Sequence, residues 1–293
     1  MAGVVLVAKN VVVIATRRSP LALWQSHWIG AQLPIPYELL PLSTQGDENL
    51  SQSLSKIGGK GLFVTALEQA LLEGRADIAV HSMKDVPVQL TSGCELAAIG
   101  RRGSIQDAVV SKHYSSLDVM PAGARVGTSS ARRKALLQHY YPHLHVADVR
   151  GNVQTRLAKI DSGAYEALIL AAAGLERLNL GVHIQHYLDP IAWMPAPGQG
   201  AIGVECLSCA TDVKSLLLGL HDPDTADCVQ AERSVSAGLG GSCILPLAAH
   251  AYLEGDSLVL SAWLNDPHRV VTLKGRRDEA ILLGAEVAKE VGA

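Results

Sequence analysis

Short apolar segments that end in polar or charged residues recur along this chain of 293 residues. Residues 11–15 and 78–80 are two such segments, and residues 146–149 and 167–173 repeat the pattern in the second half. Helical patterns separate them, which is typical of strand–helix–strand units. The sequence therefore predicts an α/β fold, in which functional groups gather at the carboxyl ends of the strands.

Capping residues mark where the predicted helices begin and end. Ser19 followed by Pro20 is an N-cap with proline in the first helical position, and Asn152 is a second N-cap. Leu67 and Leu71 recur at helical spacing, and Gly74 supplies a C-cap. Helices are thus expected directly after the strand exits at Arg17 and Arg150 and before the strand at residues 78–80.

Two glycine-containing hinge candidates, residues 100–103 and 195–200, divide the chain. A segment inserted between two hinges gives a clamp of two α/β domains joined by a two-strand hinge, which resembles type II periplasmic binding proteins. From residue 222 onwards a long helix, a glycine-rich loop and three short strands predict a small α+β domain. The predicted domains are 1–101 with 197–221, 102–196, and 222–293.

Composition excludes several classes of function. The net charge of −3 argues against a nucleic-acid binder, which would be basic throughout. No apolar run is long enough to cross a bilayer, and residues 4–15 predict a first strand rather than a signal peptide. Five cysteines in a chain of this length do not make a disulfide framework, so a reducing, cytoplasmic location is expected.

The heptapeptide at residues 81–87 places a hydroxyl, a cation and an anion at a strand exit. Ser82, Lys84 and Asp85 follow the buried run, and Pro87 opposes continued regular structure. One interpretation is a solvated turn in which Lys84 and Asp85 form a weak surface pair. The other is a functional site, because ligands of α/β proteins bind at this end of the sheet.

Basic residues are concentrated between positions 125 and 159, where Asp148 is the only acid among them. Arg132 and Arg133 lie in the first turns of a predicted helix, where they oppose the helix dipole. Thr128 and Ser130 precede that helix, so hydroxyls and guanidinium groups share its start. This pattern predicts a polyanionic ligand, and Arg17 at an earlier strand exit extends it, although solvated arginines are the alternative there.

The cysteines suggest different environments. Cys206 and Cys209 have the spacing of a zinc or redox pair, but no further ligand pair accompanies them and they end a strand instead of opening a helix. Packed or surface thiols are therefore the interpretation. Cys243 lies on a predicted glycine-rich loop, residues 238–243, where a thiol is accessible, and accessible thiols are usually reactive or modified.

Taken in order, these motifs resemble the hydroxymethylbilane synthase (porphobilinogen deaminase) family over nearly the whole chain. The matching segments are residues 15–22, 58–63, 76–87, 127–133, 150–156, 198–201 and 240–243. One departure is the segment at residues 104–108, where a basic residue common in relatives is replaced by Gln106, which we leave out of the site.

The resemblance implies a transferase that joins porphobilinogen molecules head to tail with loss of ammonia and hydrolyses off a linear tetrapyrrole. Its primer would be a dipyrromethane cofactor bound through a thioether to Cys243. Each pyrrole carries two carboxylates, which guanidinium groups bind in bidentate fashion. The implied cofactor contacts are Cys243, Ser82, Lys84, Thr128, Ser130, Arg132, Arg133 and Arg156. The implied substrate contacts are Arg17, Ser19, Gln25, Lys60, Phe63, Arg150, Arg156, Arg177 and Gln199.

Asp85 matches the catalytic carboxylate of that family. It would hydrogen-bond pyrrole N–H groups and stabilise the cationic azafulvene that forms when ammonia leaves. The resemblance also suggests a monomer, with porphobilinogen as the substrate and neither a metal nor a membrane partner. The alternative functions are a clamp that binds a small polycarboxylate without catalysis and a nucleic-acid binder that uses the basic residues at positions 125–159.

Overall fold

The computed structural model describes residues 10–44, 64–241, 245–266 and 268–293. The predictions that concern Lys60, Phe63 and Cys243 lie outside these residues. The strands of the first two sheets are β1 Val12–Arg17, β2 Tyr37–Leu42, β3 Ile78–Ser82, β4 Cys94–Ile99, β5 Asp107–Ser111, β6 Arg125–Gly127, β7 His145–Ala147, β8 Ala167–Ala171, β9 Ile184–Tyr187 and β10 Ile202–Leu207. Their helices are α1 Pro20–Gly30, α2 Thr65–Leu72, α3 Ala131–Tyr140, α4 Val153–Asp161, α5 Ala172–Arg177 and α6 Thr211–Leu217.

The first sheet has the order β2-β1-β3-β10-β4, in which β1 is parallel to β2 and β3 while β10 is antiparallel to both of its neighbours. Its two faces bury different helices because strand side chains alternate. Ile14 and Ile78 pack with Ile29 of α1 on one face, whereas Ala15 packs with Leu67 of α2 on the other. Both faces of β3 are thus covered up to the residue where the strand ends.

The second sheet repeats this arrangement with the order β7-β6-β8-β5-β9. Here β5, which follows the first crossing between the two sheets, is the antiparallel strand and occupies the position that β10 holds in the first sheet. Each α/β domain therefore receives one antiparallel strand immediately after a crossing. This is the two-strand hinge and the type II periplasmic-binding-protein-like topology that the sequence predicts.

The remaining residues form an antiparallel sheet covered by two helices. Strands β11 Leu247–Glu254, β12 Ser257–Leu264 and β13 Arg269–Arg276 lie in that order. Helices α7 Pro223–Gly238 and α8 Ala280–Gly292 pack on one face through an apolar cluster of small and aliphatic residues. The predicted small α+β domain is present. Because each sheet falls within one predicted residue set, we propose the division into 1–101 with 197–221, 102–196, and 222–293.

Predicted caps and strand ends agree with the structure in most places. The predicted N-caps Ser19 and Asn152 each accept a hydrogen bond from a backbone N–H in the first turn of their helix, and Ser130 does so as well. The strand predicted at residues 167–173 is too long, because it ends at Ala171 and the helix-favouring Ala172 already begins α5. The sequence does not predict three elements of the fold, because its local patterns are too weak there: strands β4 and β9 and helix α6.

Two buried side chains connect the third domain to the rest of the chain. Glu232 of α7 accepts from Arg102 at 2.8 and 2.9 Å, from Gly198 N at 2.7 Å and from Ala251 N at 2.8 Å. Trp263 of β12 is buried in the apolar core of the second sheet. Among the described residues, no helix is both long and apolar enough to cross a membrane.

Candidate active site

A single 3₁₀ turn, Met83–Asp85, follows β3 and presents the charged residues of the heptapeptide. Met83 is 1% exposed and its N–H donates to Ala201 O at 3.0 Å, which fastens the turn to the start of β10. The turn closes when Val86 N donates to Met83 O at 3.2 Å. Lys84 and Asp85 therefore extend from a rigid support at the carboxyl end of the sheet.

A small cavity lies beside this turn, between the ends of β1 and β3 and the first turns of α1. It is lined by Arg17, Ala22, Gln25, Val64, Val80, His81, Ser82 and Asp85. Gln25 Nε2 donates to Ser82 Oγ at 2.8 Å, so the floor of the cavity is polar and ordered. Asp85 is the only carboxylate among these lining residues. The structure thus brings together the predicted residues Arg17, Gln25, Ser82 and Asp85.

Lys84 carries a partly desolvated charge. Burial, and then the positive charge of Arg133, lower the pKa of its ammonium to about 8, against the opposing effects of Asp85 and Asp107. In the described part of the chain, no carboxylate lies within ion-pair distance of Lys84 Nζ. Such an ammonium gains from a ligand carboxylate, and it keeps its charge below about pH 8.

Arg156, with Arg150 near it, places further positive charge near Asp85. Burial, then Arg133 and Arg150, lower the pKa of Arg156 to about 10, and Asp85 opposes that shift. Arg156 Nε donates to Gly151 O at 2.8 Å, which aims the guanidinium from the start of α4. The second domain therefore faces Asp85 with arginine.

Arg177 lies at the end of α5, where the second sheet's domain meets the hinge and α1. Its Nη2 donates to Gly200 O at 2.6 Å, and its guanidinium lies 5.7 Å from the ring centroid of Trp24. Burial lowers the pKa of Arg177. The side chain thus contacts both the hinge and α1.

Asp107 organises a buried cluster that sequence reasoning missed. Its carboxylate accepts from Arg132 Nη2 at 2.7 Å and from Arg133 Nε and Nη2 at 3.0 and 2.7 Å. Trp193 Nε1 and Gln199 Nε2 each donate to it at 2.9 Å. Burial alone would raise the pKa of Asp107, but the two guanidinium groups hold that pKa well below its usual range.

This cluster changes the interpretation of Arg132 and Arg133. Both are more than nine-tenths buried and share one carboxylate, so they are not two open anion-binding groups at a helix start. Arg132 Nε is nevertheless buried without a hydrogen-bond partner among the described residues. An acidic residue opening a buried strand, as Asp107 does in β5, is the signal that could have revealed the cluster.

Several other predicted contacts already have partners inside the protein. Ser19 Oγ and Ser130 Oγ accept from backbone N–H groups of their helices. Thr128 is 2% exposed, and its Oγ1 accepts from Ser130 N. Gln199 is fully buried, and its amide nitrogen donates to Ile105 O and to Asp107. The polar atoms of these residues are therefore engaged within the protein.

Replacing Asp107 with asparagine is expected to lower the free energy of unfolding by about 3–5 kcal/mol, because two buried guanidinium groups lose their shared charge partner. Urea denaturation monitored by tryptophan fluorescence measures this change. Asp278→Asn, which removes a carboxylate that is 65% exposed, is the matched control and should leave the stability close to that of wild type, because exposed ion pairs contribute little. Equal stabilities of the two variants would contradict the role assigned to Asp107.

Comparison with known proteins gives consistent results over most of the chain. The family model described as "Porphobilinogen deaminase, dipyromethane cofactor binding domain" matches residues 12–215, and the model described as "Porphobilinogen deaminase, C-terminal domain" matches residues 226–293. A curated protein of Bordetella parapertussis named porphobilinogen deaminase is 50% identical, covering 95% of this chain and 91% of its own length. Proteins of the same name from Chromobacterium violaceum and Burkholderia vietnamiensis are 50% and 49% identical, each covering 96% of this chain and 94% and 88% of their own lengths.

Proposed function

Because this chain belongs to the porphobilinogen deaminase family, we propose that it joins porphobilinogen units head to tail in the cleft above the Met83–Asp85 turn. The enzyme is a transferase of tetrapyrrole biosynthesis, and its cofactor is a dipyrromethane. One observation supports placing the reaction in this cleft. Asp85 supplies the only carboxylate among the residues that line the cavity, and Arg17, Lys84 and Arg156 lie around it.

The residues present fit a group that carries several carboxylates. Lys84 offers a desolvated ammonium that makes no ion pair with a described carboxylate, and Arg132 Nε is a buried donor that lacks an acceptor among the described residues. We propose that Cys243 attaches the cofactor through a thioether. Its other contacts would be Ser82, Lys84, Thr128, Ser130, Arg132, Arg133 and Arg156. When bound, the dipyrromethane supplies the terminal pyrrole carbon on which the chain is extended.

The incoming substrate would be bound through its two carboxylates and oriented by neighbouring polar side chains. Porphobilinogen carries an acetate and a propionate, which suit the guanidinium groups of Arg17, Arg150, Arg156 and Arg177. Gln25 offers an amide that Ser82 already orients. Ser19 and Gln199 would act through the helix start and the hinge that they stabilise. Lys60 and Phe63 complete the proposed substrate contacts.

Asp85 would act on the charge that develops in the substrate. Loss of ammonia from the aminomethyl group leaves a cationic azafulvene, and a fixed carboxylate stabilises this cation through the pyrrole N–H. Because Met83 and Ala201 hold the turn, the carboxylate needs little reorganisation at the moment of reaction. The surrounding cations bind carboxylates, and Asp85 supplies the opposite charge at the reacting ring.

We also propose that the enzyme works in the cytoplasm as a monomer, without a nucleic-acid partner. The four cysteines that the structure describes are free thiols, as expected in a reducing compartment, and the net charge of −3 does not suit a polyanion such as DNA. The basic residues of positions 125–159 are partly engaged internally, as the Lys134–Asp148 pair at 2.8 Å illustrates.

The test is the reaction itself. Purified protein incubated with porphobilinogen is expected to release ammonia and to form a linear tetrapyrrole, with one ammonia for each pyrrole unit joined. Ammonia is measured enzymatically, and the product is measured by its absorbance after the linear chain has closed to a ring with loss of water and has been oxidised to a porphyrin. Binding of porphobilinogen without ammonia release would instead support the non-catalytic clamp.

A further inference from the structure

The segment that follows Asp85 is held by a side chain from the third domain. Arg233 of α7 donates from Nη1 to Val86 O at 2.9 Å, and from Nη2 to Pro87 O at 2.8 Å and Val88 O at 3.4 Å. One guanidinium group thus holds three successive main-chain carbonyls that are about half the chain away in sequence. Arg233 itself is half-buried.

These carbonyls need an external donor. Residues 86–88 belong to neither a helix nor a strand, so their carbonyl groups have no ladder partners. The planar fork of a guanidinium reaches several acceptors at once, whereas an ammonium binds as a compact point charge. An arginine at this position can therefore fix a loop that a lysine would hold less completely.

The opposite side of the same turn packs against the hinge. Gly198 has φ +72°, and a Cβ added there would lie 3.0 Å from Met83 Cβ and 3.3 Å from Lys84 N. Met83 N also donates to Ala201 O. The turn that carries Asp85 is consequently clamped between the hinge on one side and Arg233 on the other.

The described chain continues from α7 to Gly241, two positions before Cys243 in the sequence. Gly241, at φ +64°, lies so close to the same segment that an added Cβ would be 3.2 Å from Val88 Cγ2. Arg233 and Gly241 therefore both lie against the same short segment, residues 86–88. Both contacts join the third domain to the segment that directly follows Asp85.

We propose that Arg233 is a positioning residue, which fixes the Asp85 turn relative to the third domain by binding the carbonyls of residues 86–88. The proposal rests on the proposed function of Asp85. Arg233 would not touch the substrate. A carboxylate displaced by about 1 Å can cost about a hundredfold in rate, so loss of this clamp should affect the chemical step.

The test compares Arg233→Met and Arg233→Lys with Arg276→Met, a control that removes an arginine exposed by 72% in the same domain. The intact-protein mass of each variant first establishes that the preparation carries the cofactor. The kcat and KM for porphobilinogen are then measured. Arg233→Met should lower kcat by about tenfold or more with KM within about twofold of wild type. The kcat of Arg233→Lys should lie between those of wild type and Arg233→Met, and the kcat of Arg276→Met should equal that of wild type.

Several results would overturn the proposal. A loaded Arg233→Met enzyme with wild-type kcat and a lower melting temperature would show a stabilising role alone. A raised KM with unchanged kcat would show a substrate contact. If Arg233→Met does not fold, wild-type kcat in Arg233→Lys decides against the clamp. Full activity of Asp85→Asn would instead refute the catalytic role proposed for Asp85, on which this inference rests, so the two failures are distinguishable.

Discussion

Asp85→Asn is expected to lower kcat by about two to four orders of magnitude while the protein still folds and retains its cofactor. The amide is nearly the same size as the carboxylate and can still accept a hydrogen bond from a pyrrole N–H. It cannot stabilise a full positive charge on the ring. The loss should therefore fall on kcat, with a smaller effect on KM.

Single-turnover ammonia release, measured on enzyme of confirmed mass, checks this expectation. Asp161→Asn is the matched control, because its carboxylate is 64% exposed, pairs with Lys112 at the surface and lies far along the chain from the turn. Circular dichroism establishes that both variants fold. Turnover of Asp85→Asn within a factor of two of wild type would refute the catalytic assignment.

Cys243→Ser is expected to abolish the covalent adduct and, with it, tetrapyrrole formation. The hydroxyl of serine is a much poorer nucleophile than a thiol, so no thioether can form and no stable ether should replace it. The wild-type protein should exceed its sequence mass by a two-pyrrole unit, and the variant should have the sequence mass.

Cys209→Ser is the control for this experiment. Cys209 is exposed and unpaired, so it is the described thiol most open to chance modification, whereas burial raises the pKa of Cys206 to about 11. Its replacement should leave both the adduct and the activity in place. An adduct that persists in Cys243→Ser, or that disappears in Cys209→Ser, would contradict the attachment at Cys243.

Local signals predicted much of the fold because the relevant interactions are close in sequence. Ser19 and Asn152 stabilise their helices through backbone groups three residues away, so the sequence itself contains both partners. The two-strand hinge was also predictable, since it follows from two glycine-containing crossings. The candidate site followed from polar residues that end a buried strand at Ser82.

Pairings between distant residues were not predictable in the same way. Asp107 and Arg132 are 25 positions apart, and nothing local shows that they meet in the interior. A basic helix start was therefore interpreted as an open anion site, although the guanidinium groups of Arg132 and Arg133 donate to the buried Asp107 carboxylate and to backbone carbonyls. The carbonyl contacts of Arg233, which span 145 to 147 positions, are invisible for the same reason.

The burial of Trp263 has a consequence for folding cooperativity. This side chain belongs to the third sheet but is 2% exposed within the core of the second, so separating the two domains would expose an indole and open a cavity. Glu232 joins the third domain to the hinge in a similar way. The two domains therefore share stabilising free energy, and damage to either core should be transmitted to the other during unfolding.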